Sequence, residues 1–324
     1  MTIAELVRAA RGNGSAAIRA AARLMTILAD SPHRLPEVYH AAAALDADSG
    51  DTLQLPRFLL GLTGAPGSGK STLTDALVRE WRGRHPDRRV GVVAVDPSSP
   101  FTGGAVLGDR VRMMRHATDP MVYVRSLASR GHLGGLALGV KGVVRVMGVL
   151  GCDVVFLETV GVGQSEVEVA GVADLVMVVL APGLGDSIQL LKAGLMEIGD
   201  LFVVNKADRP DAARLQADVA SMLGEAGSRA GTYLVSAEEG RGIGALADGL
   251  EILGDRDGAS WQERRRRMIE EEVRDAILEE ASRRLRGTLA GLRGPDAPVA
   301  AVLDGRLSVE EAASRVVQEI CRRG

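Results

Sequence analysis

The segment GAPGSGKS has the residue types and spacing of a loop that binds phosphate groups. It fits the pattern G-x-x-x-x-G-K-[ST], with the apolar run LLGLT before it and a helical pattern after it. Glycines let successive backbone N–H groups turn toward phosphate oxygens, and the N-terminus of the following helix adds positive potential. The residues expected to bind phosphate are Gly64, Pro66, Gly67, Ser68, Gly69, Lys70, Ser71 and Thr72.

Three side chains of this loop have separate expected roles. Lys70 would bridge the β- and γ-phosphates, and the Ser71 hydroxyl would ligate Mg²⁺. Thr72 would reach the α-phosphate from the first turn of the helix. The loop therefore predicts a nucleoside triphosphate as the ligand, bound together with Mg²⁺.

The segment NKAD follows the apolar run LFVV and predicts a preference for guanine. The carboxylate of Asp208 would accept hydrogen bonds from guanine N1 and N2, and adenine has no two matching donors. Asn205 would hold the loop, and the stem of Lys206 would pack over the base. In the following VSA segment, the backbone N–H of Ala237, next to Ser236, would meet guanine O6. GTP is therefore favoured over ATP.

A third group of residues lies between these two motifs and could sense the γ-phosphate. The run VVFLE ends in ETVG, in which Glu158 stands where aspartate is usual and the amide of Gly161 could meet the γ-phosphate. Asp96 ends the run GVVAVD, and Asp109 lies in GGAVLGDR, so both fall on the same expected sheet edge. Asp109 could instead cap a helix, and Asp96 could start a turn.

The composition is that of an ordinary globular protein and argues against several function classes. The chain has 324 residues, of which 46% are hydrophobic and 25% charged, with a net charge of −3. This balance argues against a nucleic-acid-binding protein, and no apolar run reaches the roughly 20 residues that span a bilayer. Cys152, Cys321 and five scattered histidines lack the spacing of a disulfide framework or a zinc site. We expect a cytoplasmic protein that contacts neither nucleic acid nor membrane.

Short apolar runs alternate with helical patterns in the middle of the chain. Seven runs read as strands: RFLLGLTG, RVGVVAVD, MVYVRSLA, CDVVFLET, ADLVMVVLAP, DLFVVNKAD and GTYLVSA. Most are continuous rather than alternating, which is typical of strands covered on both faces of a parallel sheet. We predict an α/β fold: a doubly wound, mostly parallel P-loop GTPase domain over 56–257, a helical extension over 1–55 and a helical arm over 258–324.

The order of several segments around the phosphate loop resembles one family. DPSSPFTGGAVLGDR, SRGHLGG, ETVGVGQSEVEV, GDSIQLLKAG and VVNKADRP look like the MeaB/ArgK-type G proteins, relatives of the methylmalonic aciduria type A protein. The resemblance covers residues 56–255. The family also has a helical extension before this region and a helical dimerisation arm after it, like the flanks predicted here. The resemblance implies a GTPase that docks on a cobalamin-dependent acyl-CoA mutase, typically methylmalonyl-CoA mutase. Such a protein gates delivery of adenosylcobalamin and protects or reactivates the mutase.

The resemblance also implies roles for individual residues. It gives the Mg²⁺ environment as Ser71, Asp96, Asp109 and Glu158. It further implies a second switch in GLGDSIQLLKAG, where Asp186 and Lys192 would move toward the nucleotide when the partner binds. The expected catalytic residues are Lys70, Glu158, Gly161, Asp186 and Lys192.

Two further expectations concern rate and assembly. Val162 stands where many small GTPases have a glutamine that orients the attacking water, so we expect slow hydrolysis until a partner is present. Apolar residues of the C-terminal arm predict a helix face that a second copy would cover, giving a homodimer; they are Met268, Val273, Ile277, Leu278 and Ala281.

Three alternatives remain open at this point. A nickel-delivery GTPase would usually carry a Cys/His cluster, and the sequence has no C-x-x-C or His-rich tract. A P-loop small-molecule kinase or ATPase is disfavoured by NKAD and by the lack of an evident base for an acceptor. A scaffold that binds GTP without turnover has the same motifs.

Overall fold

The structure is a computed structural model of the whole chain. It describes every residue except 13, 47–54, 98–115, 117–118, 130–134, 160–168, 185–193, 228–229, 256–259, 290–297 and 324. The described residues cluster into two compact units, Met1–Glu263 and Arg264–Gly324.

Seven strands form one parallel sheet in the first unit, as the seven apolar runs predict. They are β1 Phe58–Thr63, β2 Arg89–Pro97, β3 Val122–Ser129, β4 Cys152–Thr159, β5 Leu175–Leu180, β6 Leu201–Val204 and β7 Gly231–Leu234. Their order across the sheet is β3-β2-β4-β1-β5-β6-β7, and each pairing is parallel. The carboxyl ends of all seven strands therefore meet at one edge.

Helices precede, connect and follow the strands. In chain order they are α1 Ile3–Ala10, α2 Gly14–Asp30, α3 Leu35–Asp46, α4 Lys70–Arg84, α5 Gly135–Val149, α6 Ala212–Glu225, α7 Ile243–Asp255, α8 Ser260–Leu289, α9 Pro298–Leu303 and α10 Val309–Arg323. A 3₁₀ turn at Pro32–Arg34 links α2 to α3, and a single helical turn at Met196–Ile198 precedes β6. Over the described ranges, no helix is both long and apolar enough to cross a membrane.

Apolar side chains pack on both faces of the sheet, which explains why the strand sequences are continuous apolar runs. In β1, Leu59 packs into the core on one face, whereas Leu60 and Leu62 pack into the core on the other. The first core includes residues of α1–α3, α5 and α6, and the second includes residues of α4 and α7 together with Trp261. The predicted doubly wound fold is confirmed.

The N-terminal helices pack against the α/β core rather than standing apart from it. Thr2 and Glu5 form a reciprocal capping box that starts α1. The Arg11 guanidinium donates to the Val149 carbonyl (3.1 Å), and the Arg89 guanidinium donates to the Gly12 carbonyl (2.9 Å). Helices α1–α3 therefore belong to the first compact unit.

The second unit contains most of α8 together with α9 and α10. The Ser308 hydroxyl accepts from the Glu311 amide (3.1 Å), and the Glu311 carboxylate accepts from the Ser308 amide (2.8 Å). These two hydrogen bonds form a capping box at the start of α10. Arg266 and Glu270 pair along α8 at 3.1 Å, so these two charges stabilise a solvent-exposed helix face.

Candidate functional site

The phosphate loop connects β1 to α4 at the carboxyl edge of the sheet. Its glycines are required by geometry: Gly64 and Gly69 have φ values of 140° and 91°. A Cβ atom at Gly64 would overlap the Val179 carbonyl, and one at Gly69 would overlap the Asn205 amide. The loop can therefore approach β5 and the loop after β6 only because these positions lack side chains.

Lys70 lies inside this loop, at the first position of α4. Its side chain is buried, and Nζ donates to the carbonyls of Gly64 (2.6 Å) and Ala65 (3.2 Å). Pro66 and Gly67 at the tip of the loop and Thr72 on the first turn of α4 are exposed. An ammonium group at the start of a helix, enclosed by a glycine-rich turn, is an arrangement that suits a phosphate chain.

Ser71 and Glu158 meet beside the loop. Glu158 lies near the end of β4, aligned with Leu62 of β1 and Ala94 of β2, and is 3% exposed. The Ser71 hydroxyl donates to its carboxylate. A hydroxyl and a carboxylate in contact are hard oxygen donors of the kind that Mg²⁺ binds, so these two residues fit that ion.

Of the other predicted metal and switch residues, Asp96 lies within the described part of the chain. The backbone of Asp96 pairs with Ala128 near the end of β2, which puts this residue on the expected edge. Asp109, Gly161, Asp186 and Lys192 lie outside the described residues. Their assignments stay predictions.

The NKAD loop follows β6 and is tied to the phosphate loop through two side chains. Asn205 Nδ2 donates to the Ser68 carbonyl (2.9 Å), and Lys206 Nζ donates to the Gly67 carbonyl (2.7 Å). Lys206 has a φ of 62°, a left-handed conformation that is uncommon for a residue with a side chain. The structure therefore brings together two motifs that lie far apart in the sequence.

The segment after β7 completes the loop cluster. The Ser236 hydroxyl donates to Asp208 Oδ1 (3.1 Å), which orients that exposed carboxylate. The Ala237 amide, which the sequence analysis expects to meet guanine O6, donates to Asn205 Oδ1 (3.0 Å). Asn205 is buried and joins all three loops, which is more than the loop-holding role that its motif predicts.

Cys152 does not belong to this site. It starts β4 at its amino end, on the opposite edge of the sheet, and is 3% exposed. Burial raises the pKa of its thiol to about 12, which removes the thiolate that a nucleophile needs. Cys152 is therefore a small buried residue of the core.

The parallel sheet, the phosphate loop after its first strand and the NKAD loop beside it define a P-loop GTPase. The chain belongs to the MeaB family: residues 22–288 match the family described as methylmalonyl Co-A mutase-associated GTPase MeaB. The resemblance seen in the sequence is confirmed.

Individual relatives agree with this membership. A Pyrococcus abyssi protein named as a GTPase is 44% identical over 270 residues, which is 80% of each chain. The GTPase ArgK of Escherichia coli is 42% identical over 214 residues, 64% of this chain and 60% of its own. A crystal structure described as a LAO/AO transport system kinase superposes with a TM-score of 0.62 at 26% identity, covering 98% of this chain and 97% of that one.

Proposed function

We propose that this GTPase requires Mg²⁺ and acts in the cytoplasm as a chaperone of a cobalamin-dependent acyl-CoA mutase, typically methylmalonyl-CoA mutase. The observation that supports the Mg²⁺ requirement is the contact between Ser71 and Glu158 beside the buried Lys70 ammonium. The family description supports the mutase as the partner.

Each side chain has a definite task in this proposal. Lys70 leaves its contacts with the loop carbonyls and pairs with the β- and γ-phosphates of GTP. Ser71 and Glu158 would hold Mg²⁺, which would supply positive charge against the negative charge of the phosphates. Asp208, oriented by Ser236, accepts from the guanine base. The products are GDP and inorganic phosphate.

A hydrolysis assay over a Mg²⁺ titration tests this chemistry. We expect phosphate release from GTP without any added acceptor, little from ATP, and none in EDTA. Glu158→Gln should raise the Mg²⁺ concentration needed for half-maximal rate at least tenfold, because a neutral amide binds Mg²⁺ more weakly than a carboxylate. Glu225→Gln, an exposed change at the end of α6, is the matched control. Equal turnover of GTP and ATP, or turnover in EDTA, would contradict the proposal.

The chaperone role predicts an effect on the partner during catalysis. With GTP, this protein should slow the loss of methylmalonyl-CoA mutase activity during turnover, or restore that activity by supplying adenosylcobalamin. Lys70→Ala, which removes the charge from the phosphate loop, should give neither effect. Identical inactivation of the mutase with and without this protein would exclude the role.

We further propose that two copies associate through the C-terminal unit. Val273, Ile277 and Leu278 of α8 are each more than half exposed in the single chain. Burying such side chains between two copies would stabilise a dimer at roughly 25 cal/mol per Å² of apolar surface. Removal of the C-terminal unit tests this assembly.

A further inference from the structure

One face of α4 carries polar residues at each successive turn. Ser71, Asp75, Arg79 and Arg82 are spaced by four, four and three positions, so their side chains lie along one line of the helix. Ser71 is the residue that contacts Glu158. The face that begins at the proposed metal ligand therefore continues down the helix as a charged stripe.

The chain that enters β3 packs on this stripe. His116 Nε2 lies 2.9 Å from Asp75 Oδ1, and the Arg82 guanidinium donates to Asp119 Oδ2 (3.0 Å). The Asp119 amide in turn donates to the His116 carbonyl (3.0 Å). Two separate contacts thus hold His116 and Asp119 against α4.

The contact between Asp75 and His116 is buried and is not a well-aligned hydrogen bond. Their side chains are 11% and 10% exposed. Neither of the two facing atoms has a hydrogen bond with correct geometry among the described residues, although Asp75 Oδ2 accepts from Arg79 (2.6 Å). A buried polar pair of this kind costs free energy relative to an apolar contact, so stability alone does not account for it.

The position of His116 in the chain gives the contact a consequence for the site. Strand β2 runs to the carboxyl edge through Asp96, and the chain must return to the amino edge before parallel strand β3 begins at Val122. His116 precedes β3 and contacts Asp75, which lies one helical turn from Ser71 along α4. The contact therefore fixes His116, ahead of β3, against the helix that carries Ser71.

We propose that Asp75 and His116 are positioning residues for the metal side of the site, which rests on the proposed Mg²⁺-dependent GTPase function. Their contact holds His116 against α4 one turn from Ser71, and so restricts the first turns of that helix. Neither side chain touches nucleotide or metal. Loss of the contact raises the Mg²⁺ requirement without changing recognition of the guanine base, which takes place at a separate loop.

The test compares variants in two assays on the full-length protein. We expect His116→Ala and Asp75→Asn each to raise the Mg²⁺ concentration for half-maximal GTP hydrolysis at least fivefold. GDP affinity measured by calorimetry in EDTA should stay within twofold of the parent. His116→Gln, which keeps a side-chain N–H donor, should restore the Mg²⁺ requirement to within twofold. The double variant should need no more Mg²⁺ for half-maximal hydrolysis than either single variant, because the two substitutions remove the same contact.

Arg82→Ala is the matched control, since it breaks the neighbouring contact with Asp119 on the same stripe. It should lower the melting temperature and leave the Mg²⁺ requirement unchanged. An unchanged Mg²⁺ requirement in His116→Ala, or an equal rise in Arg82→Ala, would overturn the positioning role. A parent protein whose turnover is independent of Mg²⁺ would instead overturn the proposed function itself.

Discussion

Asn205 connects the three loops of the site through one side chain. Its amide nitrogen donates to Ser68 and its amide oxygen accepts from Ala237, while the absence of a side chain at Gly69 leaves space for it. The NKAD motif predicts that this residue holds the loop, because its type and place after a strand are visible in the sequence. The identity of its partners depends on which strands are neighbours, and no local pattern carries that information.

At the residue scale, Ser68 has a buried hydroxyl without a hydrogen-bond partner among the described residues. Burying an unpaired hydroxyl is unfavourable, so Ser68→Ala should raise the free energy of unfolding by about 1 kcal/mol. Its backbone carbonyl still accepts from Asn205, and GTP affinity should change less than twofold. Denaturant unfolding and calorimetry measure the two quantities.

Thr74→Val provides the comparison for Ser68→Ala. The Thr74 hydroxyl is equally buried but donates to the Lys70 carbonyl (3.0 Å), so its removal should lower stability by about 1 kcal/mol. A stability loss in Ser68→Ala as large as that in Thr74→Val would show that the Ser68 hydroxyl has a favourable interaction.

A second prediction at this scale concerns base selection. Asp208→Asn removes the charged acceptor that guanine N1 and N2 require, so GTP affinity should fall roughly tenfold or more. Xanthosine triphosphate offers an oxygen where guanine has its N2 amino group, so its affinity relative to that of GTP should be higher in this variant than in the parent. Calorimetry with both nucleotides measures the change. Asp211→Asn, an exposed change three residues later, should bind GTP as the parent does; equal GTP affinity in Asp208→Asn would refute the base assignment.

At the element scale, the positions of the strands were predictable from the sequence, whereas the contacts that hold the helices in place were not. Continuous runs such as LVMVVL in β5 mark a strand buried on both faces, since alternate residues enter opposite cores. The packing of α1 against the end of α5 depends on long-range contacts such as that between Arg11 and Val149. The contact between Asp75 and His116 was also missed, because a lone histidine in the sequence carries no sign of its partner.

Helix α8 is the element on which the dimer prediction depends. Trp261 near its start is buried in the core of the first unit, and its Nε1 donates to the Leu253 carbonyl (3.0 Å). A truncation before position 258 would therefore remove a core side chain as well as the proposed interface. A cut after Glu263 keeps Trp261 and is the better test.

Removal of residues 264–324 should give a monomer that retains GTP affinity within twofold. In the full-length protein, Ile277→Asp should weaken the dimer, because it places a charge in the apolar contact between copies. Light scattering at tens of micromolar measures the oligomeric state of all three proteins. A monomeric full-length protein, or a truncated one that remains a dimer, would disprove an interface in this segment.

At the scale of the whole molecule, the rate of hydrolysis is expected to depend on the partner. Val162 cannot orient the attacking water, so the isolated protein should bind GTP well and hydrolyse it slowly. We propose that Asp186 and Lys192, in the switch that the family resemblance implies, move toward the nucleotide when the mutase binds. One positive charge delivered to the transferring phosphoryl group can be worth about a thousandfold in rate.

Single-turnover GTP hydrolysis should therefore rise at least about tenfold when methylmalonyl-CoA mutase is added. Lys192→Ala should abolish most of that rise and leave GTP affinity and the unstimulated rate nearly unchanged, because the charge reaches the nucleotide only in the complex. Lys141→Ala, which removes a lysine from α5, should respond to the mutase as the parent does. An isolated protein that turns over several times per second, or a Lys192→Ala protein that is fully stimulated, would contradict activation by the partner.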